Sequence, residues 1–129
     1  MNAEQAGQVL AKCASYDRRK TGDADTIAWY QAIGDLAYDD CIAAVIAHYS
    51  ETTDWIMPAH IRQRVKQARE ARILAADIPA PPPEVAGDRD AYAAALHAAR
   101  VAAADGRDPE AAARLAVTQT RREIEAPRD

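Results

Sequence analysis

The sequence predicts an all-α protein, and three observations support this prediction. Alanine and arginine are abundant, and both residues favour helices, as do the glutamate, glutamine and leucine that accompany them. No segment alternates apolar and polar residues as a half-buried strand does. Apolar residues instead recur every three or four positions in successive segments. We expect a small N-terminal bundle of about four helices over residues 1–78, a Pro-rich linker over 79–87, and an Ala-rich C-terminal segment over 88–129 that is helical or partly disordered.

The first two predicted helices each follow a polar capping residue. Asn2 can cap the first, and Gln5 follows at capping-box spacing. Its apolar face comprises Ala6, Val9, Leu10, Cys13 and either Tyr16 or Asp17, after which the polar run 17–22 ends the helix. Asp23 or Asp25 caps the second helix. That helix carries Ile27, Trp29, Tyr30, Ile33 and Leu36.

The third and fourth predicted helices are joined by a longer polar connection. Asp39 is the expected cap of the third, whose apolar face comprises Ile42, Val45, Ile46 and Tyr49. A loop over 50–57 contains Trp55, and Pro58 suits the first turn of the fourth helix. The apolar stripe of the fourth helix is narrow and comprises Ile61, Val65 and Ala68.

The composition changes after Ile78. The prolines of 79–83 exclude a helix and predict an extended, semi-rigid spacer. Two further helices are expected from about 88 to 104 and from about 109 to 125, with Gly106 between them. Their faces are mostly alanine, which supplies little apolar area. We therefore expect this segment to bury too little apolar area for a stable core of its own and to become ordered on a partner.

Charge is unevenly distributed along the chain. Residues 23–54 hold seven acids and no lysine or arginine, whereas residues 60–72 hold five bases and one acid. The two sets can neutralise each other across a bundle, or the fourth helix can offer a basic surface to an acidic partner or to phosphates. The candidate contact residues for a partner or DNA are Trp55, Arg62, Arg64, Lys66, Arg69, Arg72, Arg121 and Arg122.

No catalytic motif is found in the sequence. The five glycines do not form a phosphate-binding loop, so we expect no nucleotide hydrolysis, no cofactor and no enzymatic activity. Cys13, Cys41, His48 and His60 could in principle converge on zinc, but the spacing is common by chance, and buried structural roles are the simpler interpretation. Asp39 and Asp40 are neighbours and point in different directions, so capping explains them better than acid/base chemistry.

Composition also indicates which partners and which cellular environment suit the protein. The formal net charge of −4 argues against nucleic-acid binding by bulk charge, so weak or no direct DNA binding is expected. No apolar run is long enough to span a membrane, and the N-terminus is too polar for a signal peptide. Two cysteines do not form a disulfide framework and suit a reducing cytoplasm.

Five residues stand out among the aromatic residues of 1–78, namely Trp29, Tyr30, Tyr38, Tyr49 and Trp55. These five hold nearly all of the aromatic surface of this part of the chain, and we expect them to form the bundle core, because few other residues can supply as much buried area. Trp55 has an alternative role as an exposed anchor for a partner, since it lies in a predicted loop.

The order of these core and capping positions resembles a known family. Trp29-Tyr30 is followed by Ile33, Leu36 and Tyr38, then by Ile42, Val45 and Tyr49, and finally by Ile56-Met57-Pro58 and Ile61. This order resembles the small phage proteins that load and inhibit a replicative helicase, over residues 4–75 at most. The family-pattern core residues are Trp29, Tyr30, Tyr38, Tyr49, Pro58 and Ile61. The Pro- and Ala-rich tail cannot be aligned with the family.

The resemblance implies a non-enzymatic adaptor in the cytoplasm of a bacterial host. Such proteins bind a hexameric DnaB-type helicase and an origin-bound initiator, deliver the helicase to melted DNA and hold it inactive until release. By this resemblance the segment after Pro83 contacts the helicase. Two alternatives stay open: a helix-turn-helix-like DNA-binding protein that uses residues 60–72, although the loop before them is longer than the usual turn, and a phage inhibitor of another host protein.

Overall fold

The computed structural model describes the backbone of residues 1–125 and the side chains of residues 1–124. This part of the chain contains six α-helices and no strand, which confirms the all-α prediction. Four of these helices lie in the N-terminal part, for which about four were predicted, and the C-terminal segment adds two more. The helices are α1 (Ala3–Asp17), α2 (Asp23–Ile33), α3 (Tyr38–Glu51), α4 (Pro58–Ala75), α5 (Arg89–Ala104) and α6 (Pro109–Glu125), with a 3-10 turn at Pro83–Val85.

The chain divides into two compact units. The first unit comprises residues 1–68, and the second begins at Arg69. The division therefore lies inside α4, which is one continuous helix. Each unit has a hydrophobic cluster of its own.

The helix starts in the first unit match the predicted chemistry only in part. The capping box of α1 is present: Gln5 N donates to Asn2 Oδ1 at 2.8 Å, and Asn2 N donates to Gln5 Oε1 at 3.0 Å. The N-cap of α2 is Gly22, whose N–H donates to Asp25 Oδ2 at 2.9 Å. The predicted Asp39 cap is wrong as well, because the N-cap of α3 is Ala37, two residues earlier, and the helix therefore already includes Asp39. Its carboxylate lies in the first turn, where the helix dipole favours negative charge.

The core of the first unit is built from helices α1 to α4 and residue 56. Its buried members are Val9, Leu10, Cys13, Trp29, Ile33, Cys41, Ala44, Val45, Ile56, Ile61 and Val65. Tyr38 and Tyr49 pack against this cluster and are partly buried, and Pro58 is also partly buried.

Four of the residues expected in this core lie outside it. Tyr30 is 40% exposed, because Trp29 points inward and the next helical position is rotated by about 100°. Ile46 lies outside the core for the same reason, since its neighbour Val45 is fully buried. Ala68 is exposed, and Trp55 lies at the surface of its loop.

The second unit has a small core in which alanine predominates. Helices α5 and α6 pack on each other through the buried residues Ala91, Ala95, Ala99, Ala113 and Val117, together with Val85. Asp88 caps α5 through the Ala91 N–H at 3.1 Å, as the sequence predicts. Gly106, with φ 75°, takes the left-handed conformation that ends α5. Pro81 is buried, so the proline segment is part of the packed unit.

Within the part of the chain that the structure describes, no helix is both long and apolar enough to cross a membrane.

Candidate functional site

The connection between α3 and α4 is the best-defined candidate site, and we call residues 52–57 the Trp55 loop. His48 Nε2 contacts the Asp54 carbonyl oxygen at 2.7 Å, and because a carbonyl only accepts, this ring nitrogen carries the hydrogen. Met57 N donates to His60 Nδ1 at 2.9 Å, so that nitrogen is unprotonated. One histidine from each flanking helix therefore fixes the loop.

Asp17, Arg19 and Tyr49 form a hydrogen-bonded network, which we call the Asp17 network. This network also holds the Trp55 loop. The Arg19 guanidinium forms a two-pronged contact with the Asp17 carboxylate, at 2.6 Å from Nη2 and 3.0 Å from Nε. Tyr49 Oη donates to the same carboxylate at 2.6 Å. Both partners then contact residue 56: Arg19 Nη2 donates to its carbonyl at 2.7 Å, and its N–H donates to Tyr49 Oη at 3.0 Å.

Pairing within the network shifts the pKa values of Asp17 and Tyr49 in opposite directions. The Asp17 and Arg19 side chains are 7% and 8% exposed. Burial is the largest influence on Asp17 and raises its pKa, but the hydrogen bonds from Arg19 and Tyr49 outweigh it, so the pKa lies below its ordinary value. Burial, and then the bond to Asp17, raise the pKa of Tyr49. The phenol therefore remains a neutral donor to a carboxylate.

Trp55 is the exposed residue of the loop. Its ring lies over the Arg19 guanidinium, with 4.2 Å between the guanidinium carbon and the ring centroid. Arg19 also lies 5.3 Å from the Trp29 ring, which belongs to the core. Trp55 nevertheless remains 53% exposed. Buried residues thus fix an aromatic side chain that faces solvent.

The predicted basic residues of the first unit are mostly neutralised. Arg62 forms a two-pronged pair with Asp35 at 2.6 and 3.0 Å, and this hydrogen bonding lowers the pKa of the carboxyl. Arg64 pairs with Glu51 at 2.9 Å. Lys66 is exposed and forms no ion pair with the described residues. Of the two interpretations of the charge pattern, neutralisation across the bundle therefore holds for Arg62 and Arg64.

The predicted basic residues of the second unit fall into two groups. Arg69 pairs with Asp105 at 2.6 Å, and the Arg72 Nε donates to the Ala104 carbonyl at 2.7 Å. Both therefore hold the end of α5. Arg121 and Arg122 are exposed near the end of α6. These two remain available as contact residues.

The residues that build this site have no recognisable sequence motif. The sequence pattern places Asp17 and Arg19 only on a helix face or in a helix-ending polar run, and it does not mark them as a buried pair. For His48 and His60 the pattern offers only the zinc interpretation or a buried structural role. Their rings lie 5.2 Å apart, beside a polar groove of about 310 Å³ between α3, the Trp55 loop and α4.

The two cysteines lie in the core and not in this groove. Burial raises the pKa of Cys13 to about 12 and that of Cys41 to about 11, so both thiols are protonated at neutral pH. Among the side chains that the structure describes, no group of three or more histidines, cysteines or acids is arranged to hold a metal ion.

The fold and the site together define an all-helical protein that presents one fixed, half-exposed tryptophan. Comparison of the chain with family models, with curated proteins and with solved structures found no match.

Proposed function

We propose that this protein is a phage DNA-replication adaptor that binds, loads and restrains a hexameric DnaB-type helicase in the cytoplasm of a bacterial host, without catalysis of its own. The Trp55 loop is the observation that supports binding as the mode of action. Its backbone is bonded at residues 54, 56 and 57, and its tryptophan is half exposed. A side chain fixed before binding loses little entropy on contact, and tryptophan is a favoured anchor residue.

The second unit offers a separate contact surface on α6. Leu115 is 58% exposed, and Arg122 lies seven residues later on the same helical face. The family resemblance assigns helicase contact to this part of the chain. With one contact on each unit, an adaptor raises the local concentration of its second partner once the first is bound. An origin-binding initiator is a further candidate partner.

The test is co-sedimentation of the full chain with purified DnaB-type hexamers. We expect the wild type to sediment with the helicase and Leu115→Asp to bind about tenfold more weakly or worse, because it places a charge in the apolar part of the contact. Ala93→Asp is the matched control, at an exposed position of α5 in the same unit, and it should bind like the wild type. Absence of binding to any DnaB-type hexamer tested would reject the proposal.

The helix-turn-helix alternative has less support. Arg62 and Arg64 are engaged with acidic side chains of the first unit. Six residues separate α3 from α4, against the three or four of a typical helix-turn-helix. The alternative of an inhibitor of another host protein shares every feature of the adaptor except its target, and the co-sedimentation assay distinguishes the two.

A further inference from the structure

We propose that the exposed face of Trp55 is a stacking platform for a base of single-stranded DNA, with Arg18 and Lys20 as its phosphate contacts. This inference adds a DNA contact to the first unit and does not depend on which protein the second unit binds.

The geometry of the ring supports stacking. Arg19 covers one face of the indole at 4.2 Å, and Trp55 is 53% exposed, so the opposite face is open. The hydrogen bonds of residues 54, 56 and 57 hold the loop, and the pair with Asp17 holds Arg19. A flat aromatic face that is fixed in position can stack on any of the four bases, because every base has a π-face.

The charges beside the ring support a polyanionic ligand. Arg18 and Lys20 flank Arg19 in sequence, and both are exposed. Asp17 neutralises Arg19, whereas neither neighbour forms an ion pair within the part of the chain that the structure describes. Consecutive Cα atoms are about 3.8 Å apart, so Arg18 and Lys20 each begin one such step from Arg19, whose guanidinium contacts the ring. Two cations without an ion-pair partner among the described residues therefore neighbour the arginine that lies under the ring.

The area of the Trp55 loop is sufficient for a nucleotide, whereas a protein partner would need further contacts elsewhere on the chain. A stable protein interface buries about 800 Å² on each partner. The exposed large apolar side chains of this loop are only Trp55 and Met57, and a tryptophan buries at most about 250 Å². A single base and its flanking phosphates need no more than the ring and the two cations. Paired bases in a duplex keep their faces stacked on each other, which leaves a single strand as the ligand.

Two phosphate contacts predict a weak complex with a shallow salt dependence. For single strands the logarithm of the binding constant falls with a slope of about −0.7 per phosphate neutralised, so we expect a slope near −1.4. Binding should therefore be measurable at low salt and marginal at moderate salt. This agrees with the net charge of −4, which rules out strong attraction by bulk charge.

Tryptophan fluorescence reports on this site directly. The chain has two tryptophans, and Trp29 is buried at 7% exposure. Titration of the full chain with a fifteen-residue oligothymidylate at low salt should quench the emission and saturate. Binding of a labelled oligonucleotide, followed by anisotropy, should weaken about tenfold or more in Trp55→Ala, because the stacking partner is lost. The double change Arg18→Ala and Lys20→Ala should bring the salt slope close to zero.

Two further variants separate stacking from damage to the fold. Trp55→Phe keeps an aromatic ring and should bind within about threefold of the wild type. Tyr30→Ala removes another exposed aromatic residue of the first unit and should bind as the wild type does. Unchanged binding by Trp55→Ala, or equal quenching by duplex DNA or polyglutamate, would overturn the proposal. Helicase co-sedimentation of Trp55→Ala tests the adaptor separately, through α6.

Discussion

The two units are both helical, but their cores are built on opposite principles. The first unit buries leucine, isoleucine, valine and tryptophan around a buried ion pair. The second buries mainly alanine between α5 and α6. Large side chains stabilise by the apolar area they remove from water. Small ones remove little area but let two helices approach closely. The first unit therefore depends on large side chains at its core positions, and the second unit depends on small ones.

The largest expected effect is a cavity in the first unit. Ile61 is fully buried, and Ile61→Ala should lower the free energy of unfolding by about 2–5 kcal/mol, because it removes apolar contacts and leaves a void. Urea unfolding monitored by circular dichroism measures the change. Ile46→Ala, at a position 41% exposed, should cost much less, and equal losses would contradict the assignment of the core.

The second unit should respond to the opposite change. Ala95 is fully buried between α5 and α6, so Ala95→Leu should destabilise this unit by about 1–3 kcal/mol through overpacking. Ala93 is exposed on the same helix, and Ala93→Leu is the matched control with little expected effect. If Ala95→Leu raised the melting temperature, the close packing of the two helices would be refuted.

Disruption of the Asp17 network should destabilise the first unit less than the Ile61 cavity does. Tyr49→Phe leaves the Ile56 N–H without its acceptor and Asp17 without one donor. The loss should be about 1–3 kcal/mol, since a buried group left without a partner carries its full desolvation cost. Tyr30→Phe tests the same chemical change at an exposed tyrosine. Thermal unfolding should distinguish the two variants, and identical melting temperatures would show that the Asp17 network does not stabilise the fold.

The smallest expected effect of the Asp17 network is on the pH dependence of the free energy of unfolding. The pKa of Asp17 lies below its ordinary value in the folded protein. Its contribution to stability is therefore complete above the ordinary carboxyl pKa and is lost as the pH falls through the lower folded value. Asp17→Asn should flatten the acid side of the stability profile. Asp35→Asn should do so less, because the Asp35 pair is exposed to solvent, and a steeper profile in Asp17→Asn would contradict the sign.

Helix chemistry predicted most of the fold. The capping pair Asn2 and Gln5, the start of α4 at Pro58, and the C-terminal helices with Gly106 between them all follow from local rules. The caps of α2 and α3 did not, because a carboxylate can accept from a backbone N–H, or be favoured by the helix dipole, at more than one position of the first turn. Local rules therefore locate helices better than they locate the first residue.

The site was harder to predict, because its geometry depends on contacts between distant residues. Asp17 and Tyr49 are 32 positions apart, and Arg19 and Ile56 are 37 apart. Nothing in their spacing distinguishes them from a surface run and a core tyrosine. The absence of helical periodicity was enough to place Trp55 in a loop, but its exposure was only the alternative to a core position, and its fixation on Arg19 required the tertiary structure.

The central structural claim is that buried side chains fix the Trp55 loop, and hydrogen exchange of two amides tests it most directly. Ile56 N donates to Tyr49 Oη, and Met57 N donates to His60 Nδ1. Both amides should exchange as slowly as those within α4, and the protection of Ile56 should be lost in Tyr49→Phe. Exchange of both amides at the rate of an unstructured peptide in the wild type would contradict the claim.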